Sequence, residues 1–214
     1  MLTSITWDGH VLASPVSGSG SSDQHGETVE LYIHRIHQRY TMFPDSKWGL
    51  IEAIAIAAPM TNYAQWQGFL QERPLEEVIE FYQRASRYGL LGKKLQMMFM
   101  AITPTAVITL VVNARQCGVT CTAREIPMAI GHEAMAAAVL MRLGAPADIA
   151  CGIRVMQADR NDGPLRINSV TDVPDLNVKH IPSRTPEPWH QRITSYCTRD
   201  DVDAFLQAAK VKST

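Results

Sequence analysis

The sequence predicts an α+β fold, in which strands are followed by helices in two successive blocks. The dipeptide Asp8-Gly9 stands between two short strand-like runs, which is a strong signal for a β-hairpin. The almost entirely apolar run at residues 51–58 has the length and composition of a strand buried on both faces. Residues 127–146 indicate a short strand, a turn at Gly131 and a helix of small residues. Because strands are followed by helices in both blocks, the element order favours sheets that pack against helices.

The first block is predicted to contain four strands and two helices. Its strands lie at residues 3–7, 10–14, 29–36 and 51–58, and a flexible Ser- and Gly-rich loop covers residues 17–26. Apolar and aromatic residues at helical spacing predict one helix over residues 60–71 and another that begins at Pro74, because proline suits the first turn of a helix. The residues that define these two helices are Tyr63, Trp66, Phe69 and Leu70, and then Leu75, Val78, Ile79 and Tyr82.

The second block is predicted to run from residue 94 onward. Strands are expected at residues 94–103, 106–112, 118–122 and 128–130, followed by helices over residues 133–143 and 146–159. The Gly163-Pro164 turn leads into an alternating strand from Leu165 onward. Beyond residue 173 the chain changes character, with several prolines and then a short helix at residues 200–210 capped by Asp200. We therefore expect a domain at residues 1–173 and a C-terminal extension at residues 174–214.

Composition and charge narrow the class of protein. At 214 residues the chain can bury one sizeable core, and 46% hydrophobic with 19% charged residues is typical of a globular domain. A formal net charge of −1 argues against a general nucleic-acid binder. No apolar run approaches the roughly 20 residues that span a bilayer, and no secretory signal is recognisable at the N-terminus. Four cysteines without the spacing of a disulfide framework favour a reduced, cytoplasmic setting.

Cys117 and Cys121 are the pair whose spacing invites interpretation as a metal site. No second pair of ligands follows them at a useful distance in the sequence, so we interpret both as ordinary strand residues or isolated thiols. The aromatic residues of the helix at 60–71 fit core packing or a subunit interface better than a cofactor site. We therefore predict that the protein binds neither a metal ion nor a cofactor.

Five short motifs follow one another between residues 3 and 171. They are Thr3-Ser-Ile with Trp7-Asp-Gly, Ile33-His-Arg-Ile, Ile56-Ala-Ala with Ala64-Gln, Ala129-Ile-Gly with the helix that leads to Ala145, and Gly163-Pro. Their order and spacing resemble those of the proteasome β-subunit family of N-terminal nucleophile hydrolases, which includes the bacterial subunit that partners an AAA+ unfoldase. The resemblance implies a four-layer αββα sandwich and subunits that assemble into rings. Apolar surface at residues such as Trp66, Phe69 and Tyr82 would serve that self-association.

The resemblance assigns the nucleophile's place to Thr3. In this family the mature chain begins with a threonine whose hydroxyl attacks the peptide carbonyl while its own α-amino group takes the proton. Here Met1 and Leu2 precede Thr3, and a large residue such as leucine disfavours removal of the methionine. We therefore expect the Thr3 nitrogen to remain an amide, which cannot act as a base.

Three further positions depart from the family pattern. Tyr32 stands where the family has a buried lysine that lowers the pKa of the nucleophile, and Pro15 stands where it has the partner aspartate. Loss of both is coherent, because an unpaired buried charge is costly. Pro59 follows the strand whose next backbone N–H group belongs to the oxyanion hole in the family, and proline has no N–H to donate.

His132 stands where the family has a serine after the glycine at Gly131. It is either an ordinary residue at the start of a helix or a rewired catalytic base, since imidazole titrates near neutrality. The family's later aspartate has Asp159 and Asp162 as candidates, and both residues also suit a plain turn.

Three hypotheses follow. The one we favour is a non-catalytic proteasome-like subunit that forms homo-oligomeric rings and serves as a structural or binding subunit, with an AAA+ unfoldase or a protein substrate as further partners. The second is an active threonine peptidase, in which processing exposes Thr3 and His132 supplies an altered helper group. The third is an unrelated α+β domain that shares the pattern by chance. The N-terminal residue of the mature protein separates the first two, and the topology of the fold separates both from the third.

Overall fold

The computed structural model describes residues 4–15, 47, 51–57, 73–92, 96–156, 164–171 and 190–212. The described residues form two antiparallel sheets and four α-helices, which confirms the predicted α+β class. The chain divides into two compact units, one of residue 1 with residues 17–124 and the other of residues 2–16 with residues 125–214. No helix in the described part of the chain is long and apolar enough to cross a membrane.

The strands and helices are named here in chain order. The strands are β1 (Ser4–Trp7), β2 (Val11–Pro15), β3 (Ala53–Ala57), β4 (Met97–Ile102), β5 (Ala106–Val112), β6 (Cys117–Ala123), β7 (Met128–Gly131), β8 (Leu165–Thr171) and β9 (His190–Cys197). The helices are α1 (Leu75–Arg87), α2 (Ala134–Arg142), α3 (Ala147–Cys151) and α4 (Arg199–Lys212), and a turn of 3-10 helix (Gly152–Met156) follows α3 directly. The two sheets have the strand orders β3-β4-β5-β6 and β7-β1-β2-β8-β9.

The four-stranded sheet packs one face against α1. Apolar side chains that alternate along β3, β4 and β5 meet the buried face of the helix in one core cluster. On the sheet this cluster includes Ile54, Ile56, Phe99, Ile108 and Leu110, and on the helix Leu75, Val78, Ile79 and Tyr82. Every residue of β3 and β4 is buried, so both faces of these strands are covered. This explains why their sequences are continuous apolar runs rather than alternating ones.

Helix α1 begins where the sequence predicts. Pro74 occupies the position before its first residue, where the missing backbone N–H costs no helical hydrogen bond. Acidic side chains in the first turn and the basic side chains of Arg84 and Arg87 in the last turn complement the helix dipole. The predicted apolar face of the helix is the face that the structure buries.

Tyr82 is fully buried, which corrects the expectation that it contributes to an exposed apolar surface. It lies on the side of α1 that faces the sheet, and its ring meets that of Phe81 edge-on with the centroids 5.2 Å apart. Burial, and to a smaller extent the charge of Cys117, raises the pKa of the Tyr82 hydroxyl far above its usual value. Trp66 and Phe69, the other residues of that expectation, lie outside the described part of the chain.

The five-stranded sheet carries α2, α3 and α4 on one face. Its centre is the predicted hairpin of β1 and β2, in which Thr6 lies opposite Ala13 and Gly9 adopts a positive φ of 109°. β7 and β8 pair with the outer sides of this hairpin, so the start of the chain lies inside the sheet. The helices enclose an apolar cluster that includes Val11, Ala13, Ala137, Leu140, Ala150, Ile167 and Val202.

The other strand predictions agree with the structure to within a few residues. β3 through β8 lie at the predicted places, and α2 begins after the predicted turn at Gly131. The predictions for residues 17–26, 29–36 and 60–71 and for Gly163 fall outside the described residues.

The second helix of this block is shorter than predicted. Its α-helical part ends at Cys151 and continues as 3-10 helix to Met156, whereas the sequence predicts a helix to residue 159. The change occurs at Gly152, which weakens an α-helix because glycine has high backbone entropy. Gly152 also lies tightly against β9, since a Cβ there would be 2.1 Å from Cys197 Sγ and 2.8 Å from Cys197 Cβ.

The C-terminal residues are joined to the second unit by β9 and α4. β9 pairs with β8. We did not predict β9, because residues 190–197 contain few apolar side chains. The helix begins at Arg199, so Asp200 lies within its first turn and is not its cap, which corrects the prediction. The boundary at residue 173 stays a prediction.

The cap of α4 is Thr198. Its hydroxyl oxygen accepts a hydrogen bond from the Asp201 N–H at 3.2 Å, while Asp201 Oδ2 accepts from the Thr198 N–H at 2.7 Å and from the Thr198 hydroxyl at 2.6 Å. This reciprocal arrangement satisfies two backbone N–H groups at once. The bonds from Thr198 also lower the pKa of the Asp201 carboxyl.

We predict that Gly152→Ala destabilises the protein by about 2–3 kcal/mol, because the new methyl group overpacks against Cys197. The φ of −73° at Gly152 suits any residue, so the cost is one of space rather than of backbone strain. Gly92→Ala, where a Cβ meets nothing within 4 Å, is the matched control. Urea unfolding should show partial rescue when Cys197→Ala is added, since Sγ is removed and Cβ stays. A Gly152→Ala protein as stable as Gly92→Ala would contradict this packing.

We predict that the contribution of Asp201 to stability depends on pH. Because the pKa of Asp201 is lower in the folded protein than its ordinary 3.8, the stabilisation is complete above that pH and disappears as the pH falls through the folded value. Asp201→Asn should therefore lower the thermal midpoint at pH 7, and its difference from the wild type should vanish in strong acid. Thr198→Ala should cost about 1 kcal/mol at pH 7. An equal deficit of Asp201→Asn at every pH would exclude this role.

Candidate functional site

The candidate site lies at the end of the five-stranded sheet where β1 begins. The backbone register pairs Ser4 of β1 with Gly131, the last residue of β7. The last residue of β7 therefore lies at the end of the sheet where β1 begins, and the predicted site residue His132 follows it directly. Thr3 lies outside the described residues.

A sharp turn connects β7 to α2 at this site. Gly131 has a φ of 96°, which glycine adopts without steric cost, and Glu133 has a φ of 57° in the left-handed region. A left-handed residue other than glycine, asparagine or aspartate is uncommon and carries backbone strain. The Glu133 carbonyl oxygen accepts the Ala137 N–H at 2.9 Å and thereby starts the helix. The turn fixes His132 between the strand and the helix.

The His132 imidazole lies partly under the surface. One third of its side chain is exposed, and its Nδ1 lies 3.8 Å from Glu133 Oε1. Nδ1 is buried and has no hydrogen-bond partner among the described residues.

Three polar side chains of the hairpin hold β1 in place from the helix side. Thr6 Oγ1 donates to the Ala147 carbonyl oxygen at 2.8 Å, and Ser4 Oγ donates to the Cys151 carbonyl oxygen at 3.3 Å. Asp8 uses both carboxylate oxygens, because Oδ1 accepts the backbone N–H groups of residues 10 and 11 while Oδ2 accepts the Ala147 N–H at 2.8 Å. The strand that leads to Thr3 is thus bonded to both ends of α3.

Sequence reasoning did not assign a role to these three residues. Ser4 and Thr6 alternate along β1 and Asp8 continues the pattern into the turn, and this period-two pattern of small polar residues is the signal that could have found them. Ser4 and Thr6 are nevertheless buried, so the polar face of the strand does not face solvent. Their hydrogen bonds make that burial possible.

The roles predicted for the other site positions stay predictions. Pro15 ends β2 opposite Ile167, so the expected aspartate position holds a residue without charge or N–H. Tyr32, Pro59, Asp159 and Asp162 lie outside the described residues, as does Thr3. Of the predicted positions, the structure therefore describes His132 and Pro15.

The cysteines do not form a nucleophilic or metal centre. Cys117 and Cys121 lie on β6 at its partly exposed side, and all four cysteines are free. Burial raises the pKa of Cys151 and of Cys197 to about 12, so both stay protonated thiols at neutral pH. No cluster of three or more His, Cys, Asp or Glu side chains able to hold a metal occurs within the described ranges.

An open groove of about 310 Å³ follows the charged face of α1. Glu80 and Arg84 form an ion pair across one turn of the helix, and Glu76 Oε1 accepts the Lys47 N–H at 3.1 Å. Acidic and basic side chains both line the groove and largely neutralise one another. We interpret it as a solvated helix face rather than as a ligand site.

Comparison with known proteins adds no relative to this picture. No protein-family model, no curated protein and no solved structure matches the chain.

We predict that Asp8→Ala destabilises the protein by about 3 kcal/mol, because three backbone N–H groups lose a charged acceptor. Asp8→Asn should cost about half as much, since the amide keeps one accepting oxygen. Asp203→Asn, which removes only an exposed carboxylate near Arg199, is the control and should change stability by less than about 0.5 kcal/mol. Urea unfolding midpoints that are lowest for Asp8→Ala, intermediate for Asp8→Asn and highest for Asp203→Asn would support this role of Asp8. An Asp8→Ala midpoint equal to that of Asp203→Asn would contradict it.

Proposed function

We propose that this chain is a divergent proteasome β-subunit-like protein that forms homo-oligomeric rings as a non-catalytic structural or binding subunit. The observation that carries the proposal is the pairing of Ser4 with Gly131. It supports the resemblance because it sets the start of β1, where enzymes of that family hold their nucleophile, beside the glycine turn that leads into a helix of small residues. An AAA+ unfoldase or a protein substrate would be further partners.

The proposed fold is the four-layer αββα sandwich of that family. Each unit has the parts that such a sandwich needs, namely an antiparallel sheet with helices on one face and buried side chains on both faces. In the proposed arrangement the two sheets form the inner layers. A cytoplasmic location is consistent with four cysteines that remain free.

The proposed loss of catalysis depends on the surroundings of Thr3. Leu2 precedes Thr3, so the threonine nitrogen is an amide unless the chain is cleaved between these two residues. An amide nitrogen cannot take the proton from the hydroxyl, and this proton transfer is what activates the nucleophile. Pro15 stands where a carboxylate would hold the helper lysine. A subunit that lacks both the free α-amino base and the helper lysine keeps the fold and the assembly, but it cannot activate the threonine hydroxyl for peptide cleavage.

A second candidate is an active threonine peptidase in which His132 replaces the missing helper. One observation favours it: His132 directly follows the residue that pairs with Ser4 of β1, and its buried Nδ1 makes no hydrogen bond within the described residues. A general base at such a place contributes typically about 100- to 10,000-fold to a rate. This candidate still requires cleavage before Thr3.

We predict that a threonine-directed covalent inhibitor leaves the purified protein unmodified, as measured by intact mass, with Thr3→Ala as the control. Sedimentation at micromolar concentration should show an assembly larger than the 23.8 kDa chain. A stoichiometric adduct that is absent from Thr3→Ala and slower to form in His132→Ala would establish the peptidase instead. A species of 23.8 kDa alone would contradict the ring-forming subunit.

A further inference from the structure

We draw no further inference here: the strongest candidate, the exposed apolar surface of α2 formed by Met135, Val139 and Leu143, is an unpartnered helix face, and nothing in the described part of the chain shows what covers it.

Discussion

The hydrogen bonds between the first strand and α3 are the constraint on which the second unit depends. Without α3, polar side-chain atoms of the hairpin would lack these hydrogen-bond partners. In the structure, the side chains of Ser4, Thr6 and Asp8 each form a hydrogen bond to the backbone of α3. α3 has five residues, too few to be stable without such contacts. The strand therefore stabilises the helix, and the helix in turn makes a polar strand compatible with a buried position. Since β1 lies between β2 and β7, the same bonds fix the centre of the sheet.

The position of the candidate site follows from that centre. β1 and β7 are paired in a single register over four residue pairs, so the end of β7 at Gly131 is set against the start of β1. The turn beyond Gly131 needs a positive φ at Gly131 and again at Glu133, and this sharp reversal holds His132 at the edge of the sheet. The chemistry of the site is consequently a matter of which side chains occupy these positions. At this turn His132 supplies ring nitrogens that can donate or accept hydrogen bonds.

The two units bury apolar residues in different ways. In the four-stranded sheet, β3 and β4 are buried throughout and α1 adds an amphipathic face with acidic and basic ends. In the other unit, α2 and α3 are short and rich in alanine, and the chain packs through close contacts such as that of Gly152 with Cys197. Small residues allow helices to approach a sheet closely, but they also leave little side chain to cover the outer surface of α2. The large apolar side chains that α2 does expose are Met135, Val139 and Leu143.

Local patterns in the sequence were sufficient for the elements whose stability is local. The sequence predicted the hairpin at Asp8-Gly9, the apolar strand β3, α1 after Pro74 and the turn at Gly131. Turn residues, hydrophobic periodicity and proline affect only the few residues around them, so their effect can be recognised in the sequence. Tertiary contacts decided the rest. β9 forms because β8 offers it an edge, although its own sequence is mostly polar, and Gly152 after α3 lies tightly against Cys197 of that strand. Thr198 rather than Asp200 caps α4 because β9 ends at residue 197 and fixes where the helix can begin. The position of His132 at the end of the sheet where β1 begins likewise depends on strand pairing, which the spacing of residues along a sequence does not specify.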